Sequence, residues 1–167
     1  VSTTKESYPG FIKADGKQLK NDNGDTVYLR GANAGGYMLQ EIWLCATYGG
    51  TDDNSNGNIR CQKNILDTLN SRFGSEKAKN LINAYEENYW TTDDFENCAK
   101  LGINCIRLPI WYRNLVDENG NWYDNAFDKI DWFVETAGRY GIYVIIDMHG
   151  AYGSQNGSHN SGIYGGS

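Results

Sequence analysis

The chain has 167 residues, 40% of them hydrophobic and 22% charged, enough for a globular fold with a sizeable core. Its formal net charge is −6, its pI is near 4.8, and it has no run of Lys or Arg, so nucleic acid and anionic membrane are poor partners. No stretch approaches the roughly 20 apolar residues of a membrane span, and Val1-Ser2-Thr3-Thr4-Lys5 lacks the apolar core of a signal peptide, so it reads as a mature N-terminus or an arbitrary boundary.

In chain order, Phe11-Ile12-Lys13 leads into the turn Asp15-Gly16, and a second Asx-Gly turn lies at Asn23-Gly24. Residues 11–30 read as a small hairpin layer capping the bottom of the fold. Thr26–Asn33 predicts a β-strand, within a region 26–167 built from successive βα units. Residues 34–60 form a long irregular connection, and long ordered loops tend to be functional. Helices are predicted over Gln62–Phe73, stopped by Gly74, and over Glu76–Asn88, with Ser75 as its cap. Thr91-x-x-Asp94 is a capping box with Asp in place of Glu, opening a helix that Gly102 stops. Ile103–Pro109 reads as a buried strand ended by its Pro. A helix over about 126–140 stops at Gly141, and the nearly continuous apolar run Ile142–Met148 resembles a parallel strand buried on both faces.

The four cysteines form no C-x-x-C pair, which disfavours structural zinc. Cys45 and Cys61 flank a Gly/Asn/Asp-rich loop and could be bridged, whereas Cys98 and Cys105 read as small buried hydrophobes. Strand, helices, strand, helix, strand is the order of an α/β fold with a parallel sheet. The doubly wound alternative lacks any G-x-G-x-x-G after a strand.

Polar residues stand where the apolar strands end: Asn33, Arg107 and His149. Singly, Arg107 fits a structural Arg paired with a core carboxylate, and His149 a loop histidine bonded to a carbonyl. Three polar strand ends in register favour a site, because the C-terminal ends of parallel barrel strands share the face that carries active sites. The segment after His149 is dense in Gly, Ser and Asn, which suits hydrogen bonding to sugar hydroxyls or a solvated loop. The 12 Tyr and 5 Trp likewise suit either sugar stacking or a Tyr-rich core. With only His149 and His159 and no H-E-x-x-H, no metal is expected. Asn156-Gly157-Ser158 matches the short N-glycosylation pattern.

Three stretches resemble glycoside hydrolase family 5, especially its exo-β-1,3-glucanase-like branch. They are Leu29-Arg30-Gly31-Ala32-Asn33-Ala34-Gly35-Gly36-Tyr37 with Glu41 and Trp43; Gly102–Ile110; and Asp147-Met148-His149-Gly150-Ala151 continuing to Asn160-Ser161-Gly162. The resemblance runs from about residue 11 onward. It implies the N-terminal portion, about strands 1–3, of a (β/α)8 TIM barrel, secreted or extracellular, with no cofactor and a β-glucan polysaccharide or oligosaccharide as partner. By position, Arg107 would hydrogen-bond the nucleophilic carboxylate and keep it ionised. His149 would contact the sugar next to the scissile bond, Glu41 would grip hydroxyls of that sugar, Trp43 would line its pocket, and Asn33 and Asn160 would contribute side chains. The family's two catalytic Glu residues stand at the ends of strands four and seven. Neither is recognised in residues 1–167, so the remainder of the barrel, in the same or a second chain, is expected to supply them. Asp147 shares the face of His149 by strand alternation and is expected to orient its neighbours.

Four positions depart from the pattern. Ser158-His159 stands where Phe-Asp is usual, Tyr152 where Pro is expected, and Tyr37 where Trp is commoner. Cellulose, β-1,3-glucan, mixed-linkage glucan and mannan therefore remain open as substrates. The alternative is a non-catalytic sugar-binding or half-barrel piece. A partial barrel leaves open sheet edges, so residues 1–167 alone are expected to be poorly stable or to associate.

Overall fold

The computed structural model describes residues 10–44, 59–154, 157 and 159–165. The chain divides into two compact units: Val1–Asn33, Thr91–Arg107 and Phe127–Ile145 in the first, and Ala34–Trp90, Leu108–Ala126 and Ile146–Ser167 in the second.

In the first unit, β1 (Lys13–Asp15) and β2 (Gln18–Lys20) form an antiparallel hairpin turned at Gly16, whose φ is 57°. The strand predicted over Thr26–Asn33 is shorter. Thr26 makes only an isolated bridge to Lys20, and β3 is Gly31–Asn33. The preceding segment is held by a side chain instead of a strand: Asn104 Nδ2 donates to the Tyr28 carbonyl at 2.9 Å, and Asn104 Oδ1 accepts from the Arg30 amide at 2.7 Å. Pattern alone cannot reveal that a side-chain amide will replace the ladder.

Two helices of this unit, α3 (Thr92–Lys100) and α4 (Asp128–Arg139), end alike. A glycine with positive φ, Gly102 (74°) or Gly141 (70°), reverses the chain. The next residue then bonds back into the helix: Ile103 N–H to the Cys98 carbonyl and Ile142 N–H to the Ala137 carbonyl, both 3.0 Å. Each closure delivers the chain directly into a strand, β4 (Cys105–Trp111) after α3 and β5 (Tyr143–Gly150) after α4. At the start of α3, the Asp94 carboxylate accepts from the Thr91 amide at 2.7 Å and the Thr91 hydroxyl at 2.9 Å, so the Asp variant of the capping box forms. The helices pack through Phe95, buried against Phe133 with ring centroids 4.8 Å apart in an edge-on contact.

β3, β4 and β5 are neighbours in that order in one sheet, and β3 runs parallel to β4 with Asn33 opposite Arg107. Gly31 lies so close to β4 that a Cβ there would stand 2.9 Å from the Cys105 carbonyl oxygen, which explains the glycine. β4 and β5 are joined through α4, the crossover that parallel neighbours require. Two expectations need correction. β4 continues through Pro109 to Trp111, because β3 has already ended opposite Arg107 and no ladder on that side needs the missing N–H. β5 is not buried on both faces: Ile145, Ile146 and Met148 are about half exposed, since β4 is its only neighbour in the sheet among the described residues.

In the second unit, α1 (Gln62–Phe73) stops at Gly74, and α2 spans Ser75–Tyr89. Gly74, not Ser75, occupies the N-cap of α2. The irregular segment after β3 supplies core: Ala34, Tyr37, Met38, Leu39 and Ile42 are buried with Ile65, Leu108, Ile110 and Trp111. Cys61 is buried with a free thiol 3.3 Å from Asn64 Oδ1, and Cys45 lies outside the described residues. In the first unit, Cys105 is buried and Cys98 partly so; burial pushes both thiols up, helped at Cys98 by Asp94. No described helix is long and apolar enough to cross a membrane.

Candidate functional site

A loop that enters the core must find partners for its backbone, and here the helices supply them. The Tyr85 hydroxyl donates to the Gly36 carbonyl at 2.7 Å, and the Tyr89 hydroxyl, one helical turn on, donates to the Gly35 carbonyl at 2.8 Å. Gln62 serves both directions: its Oε1 accepts from the Gln40 amide at 3.2 Å, and its Nε2 donates to the Met38 carbonyl at 3.4 Å. These bonds fix the segment that leads into Glu41. Tyr37 sits within it, its hydroxyl pushed up to about 12 by burial and then by Glu86 and Glu87, so it remains a neutral O–H at ordinary pH.

Glu41 is thereby presented to the end of β5. His149 Nε2 lies 3.8 Å from Glu41 Oε1, and His149 Nδ1 lies 3.0 Å from Asp147 Oδ2. The second distance is that of a hydrogen bond and the first is longer than one. Asp147 and His149 alternate onto one face of β5, so Nδ1–H donates to the carboxylate and the ring orientation is set. In the neutral imidazole, Nε2 then carries a lone pair. Nε2 and the Glu41 carboxylate thus stand side by side at the end of β5. Both side chains are partly accessible, 26% for His149 and 15% for Glu41.

The loop after β5 is fastened by hydroxyls. Ser154 adopts a positive φ of 62°, uncommon for a residue other than glycine. Its Oγ lies 2.6 Å from Ser161 Oγ and donates to the Ile163 carbonyl, also at 2.6 Å. The Lys63 amide donates to the Gly162 carbonyl at 3.0 Å, tying the loop to the start of α1. Gly150 and Gly162 both lie against Trp111; a Cβ at either would approach its indole to 2.6 Å or less.

The other expected residues divide between the units. In the first, Arg107 Nη1 donates to Asn33 Oδ1 at 3.3 Å, as their opposed register allows. In the second, Trp43 is 56% exposed, and Asn160 is half-buried in a short 3-10 helix, His159–Ser161. The structure thus brings Glu41 together with His149, and Asn33 with Arg107. Asn156 and Ser158 of the glycosylation pattern lie outside the described residues. Sequence reasoning missed Gln62, Tyr85, Tyr89 and Ser154 as supports. The i,i+4 spacing of Tyr85 and Tyr89 is the one signal that could have pointed to two of them.

Residues 52–164 match the family model described as Cellulase (glycosyl hydrolase family 5). A probable glucan 1,3-beta-glucosidase A of Aspergillus clavatus is 29% identical over 162 residues, covering 97% of this chain and 37% of that protein. A glucan 1,3-beta-glucosidase of Lachancea kluyveri is 32% identical, covering 98% of this chain and 37% of that protein. The chain therefore spans about a third of the length of these relatives. In fold it is similar to a rutinosidase from Aspergillus niger, with a TM-score of 0.63 at 21% identity over 82% of this chain and 37% of that one. The fold is that of the first βα units of a (β/α)8 barrel. From motif, fold and relatives together, the chain belongs to glycosyl hydrolase family 5.

Proposed function

We propose that this chain is part of the catalytic barrel of an extracellular retaining glycosidase that cleaves β-1,3-glucan. Glu41 and His149 grip hydroxyls of the sugar next to the scissile bond, with Trp43 and Asn160 completing its surroundings. Arg107, held by Asn33, keeps the nucleophilic carboxylate ionised. Such hydrolysis needs two carboxyl groups about 5–5.5 Å apart, one a nucleophile and the other an acid that later acts as base. In this reading they come from the remainder of the barrel, and no metal or organic cofactor takes part.

The observation that carries the reading is the Asp147–His149–Glu41 arrangement, with one 3.0 Å contact that orients the imidazole and a partly accessible Glu41 carboxylate beside it. The β-1,3 linkage is favoured by what the relatives are named for.

The test is hydrolysis by the intact protein of β-1,3- and β-1,4-linked glucan oligosaccharides, xylan and mannan, with the anomer of the first product read by NMR. Cleavage of the β-1,3 substrate with retention is expected. Glu41→Gln keeps the shape and removes a charge-assisted hydrogen bond, so kcat/KM should fall about 10- to 100-fold. Intact protein that leaves every β-glucan uncut would sink the reading.

A further inference from the structure

We propose that Tyr152, backed by Tyr112, is a stacking platform for a second sugar ring of the oligosaccharide whose first ring lies at Glu41 and His149. This rests on the reading above and adds a subsite to it. Tyr152 is 83% exposed, so its ring is not there to fill the core. It is nevertheless held in place. Its centroid lies 5.3 Å from that of Tyr112 in an edge-on contact, and Tyr112 makes a second edge-on contact, at 5.8 Å, with the buried Trp111. A T-shaped contact occupies at most one face of Tyr152, so the other is open.

The backbone beneath it is fixed as well. The Ser154 amide donates to the Ala151 carbonyl at 3.1 Å, closing a turn with Tyr152 and Gly153 at its centre. The Gly153 φ of 82° is that of the third residue of a type II turn. Tyr152 is then the second residue, where Pro is favoured because it pre-sets φ. A Tyr there gives the backbone no such help; what it adds is a ring. The turn ends on Ser154, whose hydroxyl bonds lock the loop, so little freedom is left to lose when a ligand docks.

Position relates the platform to the site. Tyr152 follows His149 by three residues, so their Cα atoms are at most about 11 Å apart, roughly one to two sugar rings. The flat C–H face of a pyranose suits an open aromatic ring, and the Tyr152 hydroxyl can bond a sugar hydroxyl at the rim. A single exposed aromatic is ordinary on a protein surface. One locked at a turn apex beside a sugar-gripping pair is a subsite.

The experiment uses the intact protein, Tyr152→Ala and Tyr152→Phe. Glucose serves as a competitive inhibitor that fills one ring position, and β-1,3-linked glucose oligomers of two to six units serve as substrates. In Tyr152→Ala, KM for the longer oligomers should rise about 2- to 12-fold, the size of one aromatic stacking contact. Glucose inhibition and Tm should stay at wild-type values, and Tyr152→Phe, which keeps the ring and loses only the rim hydroxyl, should raise KM for the longer oligomers less than Tyr152→Ala does. Equal KM values for wild type and Tyr152→Ala at every length would overturn the platform. So would a parallel loss for glucose and oligomers, which is the mark of a merely structural role. If wild-type protein cuts no glucose oligomer, the glucanase reading itself falls, a result distinct from active wild type with a neutral Tyr152→Ala.

Discussion

β4 keeps six of its seven residues buried, whereas β5 leaves Ile145, Ile146 and Met148 about half exposed. The two strands are similar in apolar content and length, and each follows a helix closed by the same Gly-Ile device. Their positions differ. β4 lies between β3 and β5, while β5 has one neighbour among the described residues. An apolar strand is therefore a statement about what must eventually cover it, and the stabilisation it gives depends on how many sides are covered.

Truncating side chains should separate the two strands by energy. Leu108 on β4 is fully buried, and Leu108→Ala should cost about 2–5 kcal/mol in denaturant unfolding. A loss well under that range would mean that the β4 side of the comparison is not the rigid one. Where the strands end, Gly150→Ala places a methyl 2.6 Å from Trp111 Cδ1 and 3.0 Å from the Ser161 carbonyl oxygen. Overpacking of this kind should cost about 1–3 kcal/mol by the same measurement. It would show that β5 is tightly packed at its C-terminal end although its middle is open. In residues 1–167 taken alone, Ile146→Ala should cost about 1 kcal/mol or less, since roughly half of the side chain faces solvent there. An Ile146→Ala loss equal to that of Leu108→Ala would erase the contrast.

What could be read from the sequence was mostly local. α1 has the predicted bounds, Gln62–Phe73, because its stop is a glycine that needs no distant partner. Gly102, Gly141 and the Thr91–Asp94 box act in the same way. What escaped was long-range. Asn104 substitutes for a strand partner 76 residues away in sequence, at Tyr28. The segment around Leu39 is irregular and polar in part, yet it is core because α1 and α2 lend it hydrogen bonds. The same holds for the site. The sequence pattern put Asp147 and His149 on one face, but the separation of Glu41 from His149 depends on how that loop is anchored. The support that Ser154 gives to the loop rests on a positive φ that a serine does not advertise.

That serine has a consequence for how this surface can change. Among the described residues, the side-chain bonds of this loop run through Ser154, Ser161 and the Ile163 carbonyl, whereas Tyr152, at the apex of the turn before Ser154, is exposed. Fastening and display are assigned to different residues. Replacing the displayed one leaves the clasp intact, so substitutions at position 152 can be sampled with little penalty to folding. Selection for a new ligand can work on one part of this loop without having to rebuild the other.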